Sequence, residues 1–159
     1  MKTFFANLSG TYLSPMATAR RMKTQIPPDR VLLAYLMFAL LISFVARMPA
    51  LLVSSEKLPN PDTFIGAQIA ASLIFGALFM YLLAAVSHLI ARVFGGKGSH
   101  HAARLALFWV LLAMQPLIVL NAVIGHWGWN AGQNFGVSIV FGAFFLWIWL
   151  VFLLEVERP

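Results

Sequence analysis

From Thr63 to Leu154 the chain contains no aspartate and no glutamate, and its residues fall into long apolar runs separated by short polar joins. With an earlier run from Val31, this makes four segments, at about 31–53, 63–94, 101–124 and 135–154. Each has roughly the 20 helical residues needed to cross a hydrocarbon core about 30 Å thick. In lipid the backbone must satisfy its own hydrogen bonds, so each segment is predicted to be a helix. The two-residue alternation of a barrel strand is missing. Composition agrees, because 61% of the 159 residues are hydrophobic and 10% are charged, against about 25% charged in a soluble domain. The expected fold class is all-α: a polytopic integral membrane protein with four transmembrane helices, the membrane domain covering residues 31–155.

Residues 1–30 precede the spans, and residues 156–159 follow them as a short tail. The stretch "MKTFFANLSGTYLSPMATARRMK" has no unbroken apolar core, so it reads as part of the mature chain and not as a signal peptide. Within it, "SPMATARRMKTQIPP" predicts a short helix. Ser14 caps it, Pro15 suits its first turn, and Pro27-Pro28 stops it. Met16, Ala19, Met22 and Ile26 recur on one side, with Arg20 and Arg21 off that face. The expectation is an interfacial amphipathic helix among the lipid headgroups.

Charge gives an orientation. Lys2, Arg20, Arg21, Lys23, Arg30, Arg92, Lys97, Arg104 and Arg158 fall on the side of the N-terminus, and only Arg47 and Lys57 on the other. That bias places both termini in the cytoplasm. The formal charge of +6 collects at the ends of apolar segments. It therefore points to anionic headgroups and not to nucleic acid. Arg20, Arg21, Lys23, Arg92, Lys97 and Arg104 are the candidate contacts to lipid or a partner. On the opposite side, "GHWGWNAGQN" puts Trp127 and Trp129 at the depth of an interfacial aromatic belt.

The join "FGGKGSHHAAR", Phe94 to Arg104, carries three glycines, basic residues and two histidines. It is not a phosphate-binding loop: Gly96-Lys97 is followed by Gly98 and not by Ser or Thr, and no strand precedes it. As a turn it makes sense. Gly95 or Gly96 closes the second helix in the left-handed conformation, Arg92 and Lys97 suit its negative end, and Ser99 caps the third. The second and third spans are then antiparallel neighbours. The second is too long for the core, so its His88–Phe94 end projects into the headgroup zone.

Catalytic chemistry is hard to find. Cysteine is absent, which removes thiolate ligands and nucleophiles. His88, His100 and His101 lie near one face and His126 near the other, yet His100 and His101 point about 100° apart on a helix and make no obvious chelate. No carboxylate is expected beside them, since Glu155 and Glu157 read as solvated. No catalytic residue, cofactor or metal is expected. The lack of acids within the last three spans also argues against proton or cation coupling.

Arg47 sits toward the outer end of the first span, where Pro49 is expected to break the helix. It either snorkels to the headgroups or anchors a partner's carboxylate or a lipid phosphate. Gln115-Pro116 and Asn121 interrupt the third span and are candidates for bonding freed carbonyls or a neighbouring helix. Gly66, Ala70, Ala77 and Ala84 form a small-residue stripe on the second span, and Gly132 and Gly136 stand at GxxxG spacing at the start of the fourth. Such spacing allows close helix packing within the chain or with another.

Two stretches carry a resemblance. "SPMATARRM…PPDRVLLAYLMFALLISFV" leads a basic pre-helix into the first span, and "ARVFGGKGSHHAARLALFWVLLAMQPLIVL" joins a long helix, a Gly-Gly-basic-Gly-Ser turn and a span with a mid-helix proline. In these the chain resembles the Yip (Ypt-interacting protein) domain family, its bacterial branch in particular, over nearly its whole length. Many members add a fifth span after a Glu in a segment similar to "LLEVERP"; the resemblance puts Glu155 at that position, and the expectation is a member with four spans and no fifth. The resemblance implies a membrane protein without known enzymatic activity, whose eukaryotic members bind Rab GTPases. No catalytic residues carry over. The expected role is a non-enzymatic interaction, scaffold or accessory subunit in a bacterial inner membrane, working with a membrane protein partner or as a homo-oligomer. The alternative is an oligomeric small-molecule transporter or channel using Gln115, Asn121 and His88.

Overall fold

The computed structural model describes residues 2–56, 59–126 and 131–158, and every regular element among them is helical. Helices α1 (Lys2–Leu13) and α2 (Pro15–Thr24) precede the first span, α3 (Asp29–Ser55). The second span joins α4 (Pro61–Ala70), a π-helical turn at Ala71–Phe75, and α5 (Gly76–Val93). The third is divided into α6 (His100–Ala113) and α7 (Gln115–His126), and the fourth is α8 (Ala131–Glu157). Four stretches are long and apolar enough to cross a membrane: Asp29–Ser55, Pro61–Val93, His100–Gly125 and Phe135–Glu157.

The start of α3, the end of α5, the start of α6 and the end of α8 meet at one end of the bundle, here called the basic end. At its centre stands α6, with nine of its fourteen residues buried. It packs against α3, α5 and α8. Ala102, Ala103 and Ala106 let the neighbouring backbones approach, while Leu105, Phe108 and Trp109 fill the gaps. Between helices in lipid this close packing replaces the hydrophobic drive that water would supply. The outward faces are large and apolar: Leu78, Phe79, Leu82, Leu89 and Val93 on α5, and Leu146, Trp147, Leu150 and Leu154 on α8.

Two prolines act differently. Pro49 does not end α3, which runs on to Ser55. The break expected there is absent because a membrane helix bridges a proline at the loss of one backbone bond. Pro116 does interrupt the third span, at Met114. The Leu112 carbonyl that it frees accepts from Met114 N–H, and the carbonyls on either side are bonded by side chains. Tyr12 donates its hydroxyl to the Ala113 carbonyl, and Gln115 donates to Leu111 O at 2.9 Å while accepting from Ser43 at 3.0 Å.

The helix expected after Ser14 is present as α2, with Pro15 in its first turn, although the Ser14 hydroxyl makes no capping bond. Its buried residues Thr18, Ala19 and Met22 face protein, because α2 packs along the end of α8. Helix α1 lies outside the sequence expectation altogether. Phe4 packs edge-on against Trp109, Thr11 accepts from Trp109 Nε1 at 2.9 Å, and the Tyr12 ring lies on Phe144. Trp109 and Ala113 stand near the middle of the third span, so the end of α1 packs beside that level of the bundle, with Leu13 at the turn facing outward.

Candidate functional site

The join between α5 and α6 closes α5 with a Schellman turn. Gly95 takes φ 89°, Gly96 N–H reaches Ala91 O at 2.8 Å, and Gly95 N–H reaches Arg92 O at 3.1 Å. Ser99 then caps α6 by accepting from Ala102 N–H at 3.1 Å. The remaining glycines serve a different purpose. A Cβ on Gly96 would lie 2.9 Å from Glu157 Oε2, and one on Gly98 would lie 2.7 Å from that oxygen and 2.8 Å from Val156 O. The loop is pressed bare against the end of α8.

Glu157 is what it closes on. Its Oε1 lies 2.6 Å from His88 Nδ1, its Oε2 accepts from Gly98 N–H at 3.0 Å, and its main-chain carbonyl accepts from Lys97 N–H at 2.8 Å. The His88 and Glu157 side chains are 3% and 4% exposed, and the His100 ring stands 4.1 Å from that of His88. The expectation of solvated Glu155 and Glu157, with no acid near the histidines, is therefore corrected. Both glutamates are buried. Four residues of carboxyl-terminal sequence could not reveal that α8 ends against a glycine loop. The signal that could have found the pair was coincidence: His88, three glycines and two acids all assigned to one end.

Two further carboxylates at this end are also bound internally. Glu155 takes Arg20 at 2.6 Å and Arg158 at 3.0 Å. Asp29 takes Arg104 at 2.8 Å and His101 Nδ1 at 3.2 Å, while His101 Nε2 lies 2.8 Å from Pro27 O.

This divides the candidate cations. Arg20 and Arg104 hold acids, Arg104 also lying over the Tyr81 ring. Arg21 donates to Asn7, and Lys23 to the Arg158 carbonyl at 2.6 Å. Arg30, Arg92 and Lys97 are exposed and have no acid partner among the described residues. Also among those residues, no group of three or more His, Cys, Asp or Glu could hold a metal ion. Beside the His88–Glu157 pair, a cavity of about 460 Å³ runs between α5 and α8, and Trp149 Nε1, which is buried with no hydrogen-bond partner among the described residues, belongs to one of its lining residues.

The small residues separate as well. Ala84 is buried and Ala77 packs against the core, while Gly66 and Ala70 are exposed. The π-helical turn at Ala71–Phe75 falls between the two pairs. One extra residue in a turn rotates everything beyond it by about 100°, so an unbroken helical stripe in sequence becomes two faces in space. Gly136 is also exposed, with nothing within 4 Å of a Cβ there. The surroundings of Gly132 and His126, together with Lys57, Trp127 and Trp129, lie outside the described residues.

Away from the basic end the spans enclose a cavity of about 620 Å³. Met80, Leu83, Leu111, Met114, Leu117 and Phe145 supply apolar wall; Ser43, Arg47, Asn121 and Ser138 supply polar groups. Asn121 donates to Ser138 Oγ at 3.3 Å. Arg47 has no acid partner among the described residues.

Four spans around a packed central helix, with acids confined to the bundle's ends, define a polytopic α-helical integral membrane protein in contact with the lipid bilayer. More narrowly, the Yip1 domain model matches residues 9–158, from the end of α1 through α8, and the chain belongs to the Yip1 domain family. No curated protein and no solved structure matches it.

Proposed function

We propose that the protein is a non-enzymatic interaction or accessory subunit of a bacterial inner membrane, with both termini cytoplasmic and its basic end as the working surface. One observation carries this reading: Asp29, Glu155 and Glu157 are each held by internal partners, leaving Arg30, Arg92 and Lys97 exposed with no acid partner among the described residues. The positive charge of that end is therefore turned outward, toward anionic headgroups or an acidic partner surface. Latching the end of α8 to the α5–α6 loop fixes the spacing of Arg92 and Lys97 as part of a rigid face.

The test is affinity purification from native membranes in mild detergent, followed by mass spectrometry, comparing the wild type with an Arg30→Glu, Arg92→Glu, Lys97→Glu variant. The expected result is a stoichiometric partner that the variant loses while still inserting. Equal recovery by both would remove the basic face from the account. A second reading, an oligomeric transporter or channel, is favoured by the cavity beside Arg47, Asn121 and Ser138. Four spans are few for a pore, so that reading requires an oligomer, and solute flux in reconstituted vesicles that falls on replacing Asn121 would support it.

A further inference from the structure

The cavity in the half of the bundle away from the basic end combines three features that belong together in one kind of ligand. Its volume of about 620 Å³ lies in the range of sites that enclose a small molecule. Its deep wall is apolar, formed by Leu83, Leu111 and Met114, the last at the midpoint of the third span. Its lining also includes Arg47, an exposed cation with no acid partner among the described residues.

Position along α3 sets the depth. Arg47 lies eighteen residues after Asp29, the first residue of that helix, which is roughly 27 Å along the axis at 1.5 Å per residue. In a hydrocarbon core about 30 Å thick, that is the level of the opposite headgroups. Toward the midplane the wall is mostly apolar, and the hydroxyl there, that of Ser43, is donated to Gln115. Phosphate at one boundary and acyl chain pointing to the centre is how a phospholipid lies in a leaflet.

The bundle also has a side on which such a molecule can enter. Among the described residues, the π-helical turn and α4 pack against α3 and have no substantial contact with α8. The second and fourth spans are tied together at the basic end by His88 and Glu157. In the far half, Gly66 and Gly136 on these two spans have nothing within 4 Å of where a Cβ would stand.

We infer that this cavity is a binding site for an anionic phospholipid of the leaflet opposite the basic end, with Arg47 on the phosphate and an acyl chain in the cleft between the second, third and fourth spans. The occupant is taken from the surrounding bilayer, and the site acts independently of the basic face proposed above.

Native mass spectrometry of the full-length protein, delipidated and then titrated with dioleoylphosphatidylglycerol, tests this. The wild type is expected to retain a single lipid, with phosphatidylcholine held more weakly. Arg47→Gln should reduce retention by about tenfold or more, the scale of a lost hydrogen bond to a charged group, and Arg47→Lys should restore part of it. Arg92→Gln and Lys97→Gln, which alter only the basic end, should leave it unchanged; this separates failure of the present inference from failure of the functional proposal. Equal retention by wild type and Arg47→Gln would overturn the site. Equal retention of phosphatidylcholine would overturn recognition by charge. Displacement of the lipid by millimolar inorganic phosphate would overturn the lipid as occupant in favour of a soluble anion.

Discussion

At the basic end, Leu32, Leu36, Ala84, Ile148, Phe152 and Val156 are each 1% exposed or less. In the other half, Gly66, Gly136 and Gly142 have nothing within 4 Å of where a Cβ would stand. The same chain has a closely packed core at one end, with a cavity only beside it between α5 and α8, and is more open at the other. The difference follows from what lipid does to helix association. Apolar side chains gain little by leaving hydrocarbon, so helices stay together where backbones approach closely or polar groups bond. The basic end has both: the alanines of α6, and the carboxylates of Asp29, Glu155 and Glu157 bridging elements far apart in sequence. The far half holds the inter-span bonds Ser43–Gln115 and Asn121–Ser138, and a cavity. Local stability should be distributed in the same way.

The largest test of this contrast is Glu157→Ala. It leaves His88 buried without its partner and frees the loop N–H of Gly98. Breaking a buried pair from one side costs about 3–5 kcal/mol, expected as a large fall in the thermal unfolding midpoint in detergent. The double variant His88→Ala, Glu157→Ala should fall little further, since both changes remove one interaction. Additive losses would mean the two residues do not stabilise the end as a unit.

Gly98→Ala comes next. The added methyl meets both the Glu157 carboxylate and the Val156 backbone carbonyl, and the latter cannot swing away. Overpacking of this sort costs about 1–3 kcal/mol. Gly136→Ala is the matched control in the open half; the comparison fails if the two changes cost the same.

These two positions also mark how far the sequence could be read. The four spans were legible because their signal is a run of apolar residues long enough for the bilayer, which depends on no other part of the chain. The α5–α6 hairpin was legible for the same reason: Gly95 and Ser99 act locally. What Gly96 and Gly98 accommodate was not, because Glu157 is distant in sequence and its approach is a tertiary event. The α2 helix announced itself through Pro15 and its spacing of apolar residues, but periodicity cannot say whether a buried face meets lipid or protein. Helix α1 gave no sign, since Thr11 and Tyr12 gain their meaning from Trp109 and Ala113. The small-residue stripe divides into two faces, with Gly66 and Ala70 outward, because a π-helical turn at Ala71–Phe75 breaks the 3.6-residue period that the stripe assumes.

A smaller effect distinguishes the polar contacts within the basic end. Arg20 is 61% exposed and shares Glu155 with Arg158. Arg20→Ala should therefore cost no more than about 1 kcal/mol, far less than Glu157→Ala. Its loss should shrink further as salt is raised, whereas the buried His88–Glu157 pair should respond little. Equal salt sensitivity of the two variants would show that water reaches the latch.

The smallest expected effect is also the one that asks what the open half is for. Gly66→Ala and Gly136→Ala add a methyl that meets nothing in the chain, so stability of the single chain should change by no more than about 0.5 kcal/mol. Yet close-packing glycines on outward faces are what a second helix in lipid would use. The decisive readout is therefore the fraction of dimer on crosslinking in membranes, measured beside the unfolding midpoint. A fall in dimer with an unchanged midpoint would make these glycines an interface with another copy. If both quantities stay at wild-type values, the outward glycines face only lipid, and the contrast between the two halves belongs to the single chain.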